Sequence, residues 1–375
     1  MWSLWSYFFS KTPSGAGCKI VETIPKRLGI NTQHMLTHEC FDEIITQAKS
    51  YISIVSFCCN LRTSEHGKLI LKKLKDAAAS GIRVTILVDY QSGNKDEDDL
   101  IANNIDYIKV QIGKNNEPGV LLGSFWVSDN ARCYIGNASL TGGSISHIKT
   151  LGIYSTFPPL AIDLQRRVDT FKAFNKNKSI CNMLSIACCM PAGTKYHMNN
   201  PIGGVFLSDS PDNILGFYRT LDADVILTKL AEAKKSIDIE LLSLVPIIRE
   251  DNKTTYWPNI YNEIIYAAIN RGVKVRMLVG SWNKNDIYVM SSVKSLQMMC
   301  SNNDLTIKLF DEKNNTKLMI IDDKFAHITP ANFDGTHYLH HGFVSFNTID
   351  PDLVTSLLEI FNRDWNDKNN TLLIN

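Results

Sequence analysis

The sequence is short of net charge, of long apolar runs and of metal-type cysteine spacings. Thirty-nine basic residues against thirty-eight acidic ones leave a formal charge of +1. No overall field therefore draws the chain to nucleic acid or another polyanion, and any phosphate recognition must be local. No run reaches the roughly 18 apolar residues of a membrane span. The N-terminus lacks the basic flank, apolar stretch and cleavage site of a secretory signal, so the chain is expected on the cytosolic side of membranes. The nine cysteines are an odd number with no CxxC spacing. That argues against zinc and against a disulfide framework, and for free thiols in a reducing compartment.

What is present begins with length and a repeat. The 375 residues, 44% hydrophobic and 21% charged, suffice for two domains with cores of their own. "AKSYISIVSF" (48–57) resembles "AKKSIDIELLSL" (233–244), each the end of a helical stretch running into an alternating strand. "SGIRVTILVD" (80–89) resembles "RGVKVRMLVG" (271–280), a glycine helix stop followed by a β-branched strand. These pairs lie 185 and 191 positions apart. "VSDNARCYIGNASLTGG" (127–143) lies on "IIDDKFAHITPANFDGT" (320–336) with a shift of 193, so that Asp129 meets Asp322 and Ser139 meets Asn332. A strand, a Pro-containing turn and an amphipathic helix follow in both halves. The order predicts an α/β protein made of two duplicated α/β/α sandwich domains, residues 1–190 and 191–375, with a boundary in the Gly-, Pro- and Asn-rich stretch 188–204.

The stretch "LFDEKNNTKLMIIDDKFAHITPANFDG" (309–335) carries the chemistry. Asn315 and Lys317, two apart on a strand, share a face. An amide beside an ammonium can hold two oxygens of one phosphate, the lysine supplying charge. Asp322 closes the strand, where a carboxylate can orient a cationic or imidazole partner. Asn332 returns ten residues later with a further amide.

This spacing resembles the HxKxxxxD...GSxN signature of the phospholipase D superfamily, and the duplication fits that family along most of the chain. The resemblance implies a single site on a pseudo-two-fold axis between the halves. In the family, one histidine attacks phosphorus, the other protonates the leaving group, and lysines and asparagines bind phosphate oxygens. It assigns Asn315, Lys317 and Asp322 to catalysis and Asn332, Ser139 and Asp129 to phosphate binding. Both halves depart from the pattern. Asn315 stands in the histidine position of the second motif, and Thr329-Pro330 replaces Gly-Ser. In the first motif Leu122 and Ser124 occupy the histidine and lysine positions, Gly136 is kept, and Ser139 replaces asparagine. A neutral amide is neither a good nucleophile nor a general acid. His337, His340 and His341, in "GTHYLHHGF", are candidate substitutes.

Two features concern membranes. Cys188 and Cys189 lie in the apolar "LSIACCMP"; a bare pair reads by default as buried core cysteine, with S-acylation as the alternative. "MWSLWSYFFS" crowds Trp2, Trp5, Tyr7, Phe8 and Phe9 at the N-terminus, suiting a membrane interface or an arm folded back on the core. "VETIPKRLG", "ECFDEIITQAK", "LLGSFWVSD", "GNASLTGGSI", "NPIGGVF", "NNTKLMIIDD" and "ANFDGTHY" narrow the resemblance to the palmitoylated, envelope-wrapping poxvirus branch of the family. That implies acylation at Cys188 and Cys189 and lipid hydrolysis without cofactor or metal. It implies a place on the virion outer envelope and on the cytosolic face of host Golgi and endosomal membranes, and a role in virion wrapping and egress. Implied partners are phospholipid membrane, other viral envelope proteins, host sorting machinery and a second copy in a homodimer, with no nucleic acid. Phe157-Pro158-Pro159-Leu160 matches the late-budding tetrapeptide that such proteins carry, with phenylalanine in the tyrosine position; a strand-to-helix turn equally accounts for its prolines.

Overall fold

A computed structural model describes residues 17–113, 119–177, 204–214, 219–250, 253–281, 285–300, 304–310 and 314–373. The predicted boundary stretch, with Cys188 and Cys189, and the N-terminal aromatics lie outside them.

The duplication is visible as two large sheets. In the first half the strands are β1 (Cys18–Thr23), β2 (Tyr51–Ser56), β3 (Arg83–Asp89), β4 (Asp106–Val110), β5 (Ser124–Ser128), β6 (Arg132–Gly136) and β7 (Thr150–Ser155). In the second they are β8 (Val205–Ser210), β9 (Ser236–Leu241), β10 (Lys274–Gly280), β11 (Leu305–Phe310), β12 (Leu318–Ile321), β13 (Phe325–Ile328) and β14 (Phe343–Thr348). The spatial order β1-β7-β6-β5-β2-β3-β4 of one sheet is repeated as β8-β14-β13-β12-β9-β10-β11 in the other. Each sheet gains a short edge strand, Met35–Leu36 beside β1 and Thr371–Leu373 beside β11.

Within each half, β2-β3-β4 and β9-β10-β11 run parallel. Parallel neighbours need crossovers, supplied by helices such as α1 (Glu65–Ala79) and α2 (Asn259–Asn270). Ser64 starts α1 by accepting the Gly67 N–H. Gly81 and Gly272, at φ 93° and 64°, turn the chain out of these helices into β3 and β10, a conformation that costs glycine little. Strands buried on both faces read as largely apolar runs, as in "VTILV" (84–88) and "MLV" (277–279).

Three cores follow from this layering. Each half has an outer core of its own. A third contains residues from both sheets together with α3 (Pro158–Asn177) and α4 (Pro351–Asn366). On α4, Leu353, Val354, Leu357, Ile360 and Phe361 fall at three- and four-residue spacing and are buried there. Asp350 caps that helix by accepting the N–H groups of Asp352 and Leu353, with Pro351 in its first turn.

A buried polar chain also ties the halves. Glu22 of β1 accepts Arg363 of α4 at 2.8 Å, and Arg363 Nε reaches Asp364 at 3.0 Å. Lys149, fully buried, lies 2.8 Å from Asp364 and 3.0 Å from Glu240. Burial alone would lower the Lys149 ammonium; the carboxylates of Asp364 and Glu240 outweigh it and raise it.

The tetrapeptide at 157–160 is where α3 begins. Leu160 is 1% exposed in the central core, and the Phe157 carbonyl accepts the Leu160 and Ala161 N–H groups. A linear recruitment signal must offer its side chains to a partner, and here the leucine is packed inside. At Phe157, Pro158, Pro159 and Leu160 the chain forms the strand-to-helix turn that the prolines allowed, starting a helix whose first turn fits their fixed φ.

Candidate functional site

The two motifs meet at the seam between the halves, related by a pseudo-two-fold axis. Leu121 bridges Gly342, and Lys149 bridges Asn314; moving 193 positions along the chain converts one pair into the other. The Leu122 N–H donates to the Gly342 carbonyl at 2.8 Å, and the Asn315 N–H donates to the Lys149 carbonyl, also at 2.8 Å. The two positions that resemble histidine sites thus occupy equivalent places. Leu122 packs against the core of the opposite half.

Asn315 and Lys317 share a face just ahead of β12. Lys317 Nζ donates to Asn315 Oδ1 at 2.6 Å and to the Asn315 carbonyl at 3.3 Å. Lys317 is 4% exposed, and among the described residues no carboxylate stands within ion-pair distance of it. Burial without a counter-charge pulls its ammonium down to about 7. The first half contributes Asn137, which the sequence reading missed. Its Oδ1 accepts the Lys317 N–H at 3.2 Å, its carbonyl accepts Asn315 Nδ2 at 3.4 Å, and its amide donates to the Thr329 carbonyl. The available signal was a buried asparagine directly following strand β6 in the repeated segment. Ser124, in the first motif's lysine position, is buried, and its hydroxyl has no hydrogen-bond partner among the described residues.

Asp129 and Asp322 are placed elsewhere, which corrects the roles expected of them in orienting the site and binding phosphate. Both sit in left-handed turns, at φ 51° and 54°. Asp322 accepts the N–H groups of Lys234, Lys235 and Ser236 at 2.9, 2.6 and 2.9 Å. Asp129 accepts those of Lys49, Ser50 and Tyr51 at 2.6, 3.0 and 2.9 Å. Strand β12 separates Asp322 from Lys317 by about 16 Å at a strand's rise per residue. Both carboxylates fasten the entry of a central strand. Burial would raise the Asp322 carboxyl, but its three N–H donors hold it below the usual carboxylate range.

Asn332 lines a cavity of about 270 Å³ with Ser243, Arg249, Asp334, His337 and His341. Its Oδ1 is buried without a partner among the described residues. His337 Nδ1 stands 2.6 Å from Asp334 Oδ2, and Arg249 lies 3.0 Å from Asp286. Burial would raise Asp334, but the charge and hydrogen bonds of His337 hold it below the usual range. Burial, then the neighbouring His337, pushes His341 down to about 3. Ser139 is half-buried in the loop after β6, and its carbonyl accepts the Thr141 N–H at 2.7 Å. Among the described residues no group of three or more His, Cys, Asp or Glu side chains is placed to hold a metal, and no helix is long and apolar enough to cross a membrane.

The seam offers an uncompensated cation with amides about it, and the cavity at Asn332 offers an imidazole–carboxylate pair. These parts suit an anionic ester. A family model described as "PLD3/4, PLD-like domain" matches residues 30–315. The chain is 56% identical over 360 residues to the envelope phospholipase OPG057 of Vaccinia virus (strain Western Reserve), covering 95% of this chain and 96% of that protein. It is 42% identical over 363 residues to the envelope protein F13 homolog of Molluscum contagiosum virus subtype 2, covering 93% and 92%. A virion nicking-joining enzyme of Vaccinia virus (strain Copenhagen) is 27% identical, covering 95% and 89%. Among solved structures, the phosphatidylserine synthase of Haemophilus influenzae Rd KW20 matches with a TM-score of 0.65 at 15% identity, over 90% of this chain and 85% of that one, a likeness of fold.

Proposed function

The chain belongs to the phospholipase D-like family, and from that premise we propose that it is a phospholipid hydrolase of a poxvirus envelope. It acts on wrapping membranes at their cytosolic face, held there by acylation at Cys188 and Cys189, and serves envelopment and egress. The observation that carries this reading is Lys317, a lysine buried without a carboxylate partner among the described residues, its ammonium on the Asn315 amide and its main chain on that of Asn137. A buried ammonium lacking an anion is costly, and an anionic phosphodiester oxygen supplies the missing charge. Asn315 and Asn332 then donate to further phosphate oxygens. The resemblance to proteins named envelope phospholipases supports a phospholipid as the substrate class.

A second reading is favoured by Leu122 and Asn315, which leave both motif positions without histidine. In it the same pocket binds headgroups without turnover, and the protein is a membrane adaptor. One preparation separates the two. Purified, acylated protein is given phospholipid vesicles, and release of headgroup and fatty acid is followed for the parent and for Lys317→Ala. The hydrolase releases product and the variant does not. Binding by both proteins with no release above background sinks the hydrolase reading. For the anchor, hydroxylamine should free fatty acid from the parent and not from a Cys188/Cys189 double serine variant.

A further inference from the structure

The cavity beside Asn332 holds two histidines whose ring nitrogens are used in opposite senses. His337 Nδ1 stands 2.6 Å from Asp334 Oδ2, a charge contact out of line for a hydrogen bond, while Asp334 Oδ1 accepts the His337 main-chain N–H at 3.0 Å. A buried carboxylate this close to Nδ1 favours the proton on that nitrogen, which keeps a lone pair on Nε2. No described residue hydrogen-bonds that Nε2. His341 does the reverse. Its Nδ1 accepts the Val120 N–H from the other half at 3.4 Å, so its proton resides on Nε2. The rings lie edge to face with centroids 4.8 Å apart. A base, a neutral donor and the unpartnered Asn332 Oδ1 therefore surround one polar cavity, against the segment of the first half that carries Leu122.

We propose that His337, positioned by Asp334, is the proton acceptor that replaces the motif histidines, activating a water for attack on a phospholipid phosphodiester bound in this cavity. The inference rests on the hydrolase reading above. The water oxygen bonds to phosphorus as one of its O–H bonds breaks, and that proton goes to His337 Nε2. The ester P–O bond breaks with its electron pair on the departing oxygen, which takes a proton from solvent. His337 returns its own proton to solvent. Asn332 Oδ1 accepts the second hydrogen of the attacking water, and His341 Nε2–H donates to a phosphoryl oxygen. Asp334 is a positioning residue: it sets the tautomer and stabilises the imidazolium. The charged or titratable groups facing His337 are Asp334, His340 and His341 from its own segment, and Arg249 and Asp286 from the facing elements.

The test uses the acylated full chain and vesicles of phosphatidylcholine with an anionic phospholipid, from pH 5 to 9. The variants are Lys317→Ala, His337→Gln, His337→Ala with and without added imidazole, and Asp334→Asn, which retains a helix-capping oxygen. Removal of a general base is expected to lower the hydrolysis rate about 100-fold or more in His337→Gln with vesicle binding kept. Imidazole should restore part of the rate to His337→Ala but not to Lys317→Ala. In Asp334→Asn kcat should fall with KM and vesicle binding unchanged, because the imidazole has lost the carboxylate that orients it. A His337→Gln rate within threefold of the parent, with Lys317→Ala inactive, overturns the dyad and leaves the hydrolase standing. So does an inactive His337→Ala of unchanged melting temperature that imidazole fails to rescue. No product from the parent overturns both.

Discussion

Lys149 and Lys317 are both buried at the seam between the halves, one from each repeat, and they are treated in opposite ways. Lys149 has two carboxylates within 3.0 Å and a hydroxyl at 2.8 Å. Lys317 has an amide oxygen, a carbonyl and no carboxylate among the described residues. The difference teaches where a duplicated fold spends its charge. A compensated ammonium locks the two sheets together, and an uncompensated one is kept for an anion that arrives from outside. Fold and site use the same residue type, and the neighbours decide which role it takes.

The comparison can be broken most forcefully at Lys149. Lys149→Met leaves Glu240 buried with no cation and Asp364 with Arg363 alone, a loss of about 3–5 kcal/mol in urea unfolding. A change under about 1 kcal/mol would mean that the pair is not what joins the halves. At the other lysine, Lys317→Met should stabilise the ligand-free protein below pH 7, because the parent must bury a lone ammonium. The sign follows from proton binding. The ammonium is depressed to about 7 when folded and titrates near 10.4 when unfolded. Between those values the unfolded chain binds more protons, so the parent gains stability with rising pH, by up to about 1.4 kcal/mol per unit. Lys317→Met should lack that slope in thermal melts across pH 7 to 10. Inorganic phosphate should raise the parent's melting temperature at pH 6 and fade above pH 7, with no effect on the variant.

Asn137 sharpens the contrast at a smaller scale. Asn137→Ala removes the acceptor for the Lys317 N–H and the donor to Thr329. The expected cost is about 1–3 kcal/mol, with a weaker phosphate response than its stability loss explains. The smallest effect belongs to Asp322. Asp322→Ala should cost about 1–2 kcal/mol at neutral pH and progressively less below pH 4, since a depressed carboxyl contributes only while ionised. Loss of phosphate binding with unchanged stability would return Asp322 to the site.

Much of the fold was legible because the repeat is written in local patterns. The apolar runs of β3 and β10 and the glycines before them recur with nearly constant spacing, and such patterns fix element type and order. The pairing of Asn315 with Lys317 was legible for the same reason, since a two-residue spacing puts both on one face. Asp322 was misread because its spacing is equally regular: the motif records that it follows β12, not that its oxygens are already occupied by three main-chain N–H groups. At 157–160 the turn that the prolines allowed is what the chain forms, with Leu160 packed in the central core.

By itself, then, the sequence determined the repeated strand order, the face shared by Asn315 and Lys317, and the loss of both motif histidines at Leu122 and Asn315. These depend on periodicity and residue type, which are properties of short segments. Only the tertiary structure decided that Lys149 is paired and Lys317 is not, that Asn137 reaches across to both motif residues, and that His337 meets Asp334 in a cavity facing the other half. Each of those depends on what a distant segment brings within a few ångströms, because burial turns the absence or presence of one partner into a large change in free energy.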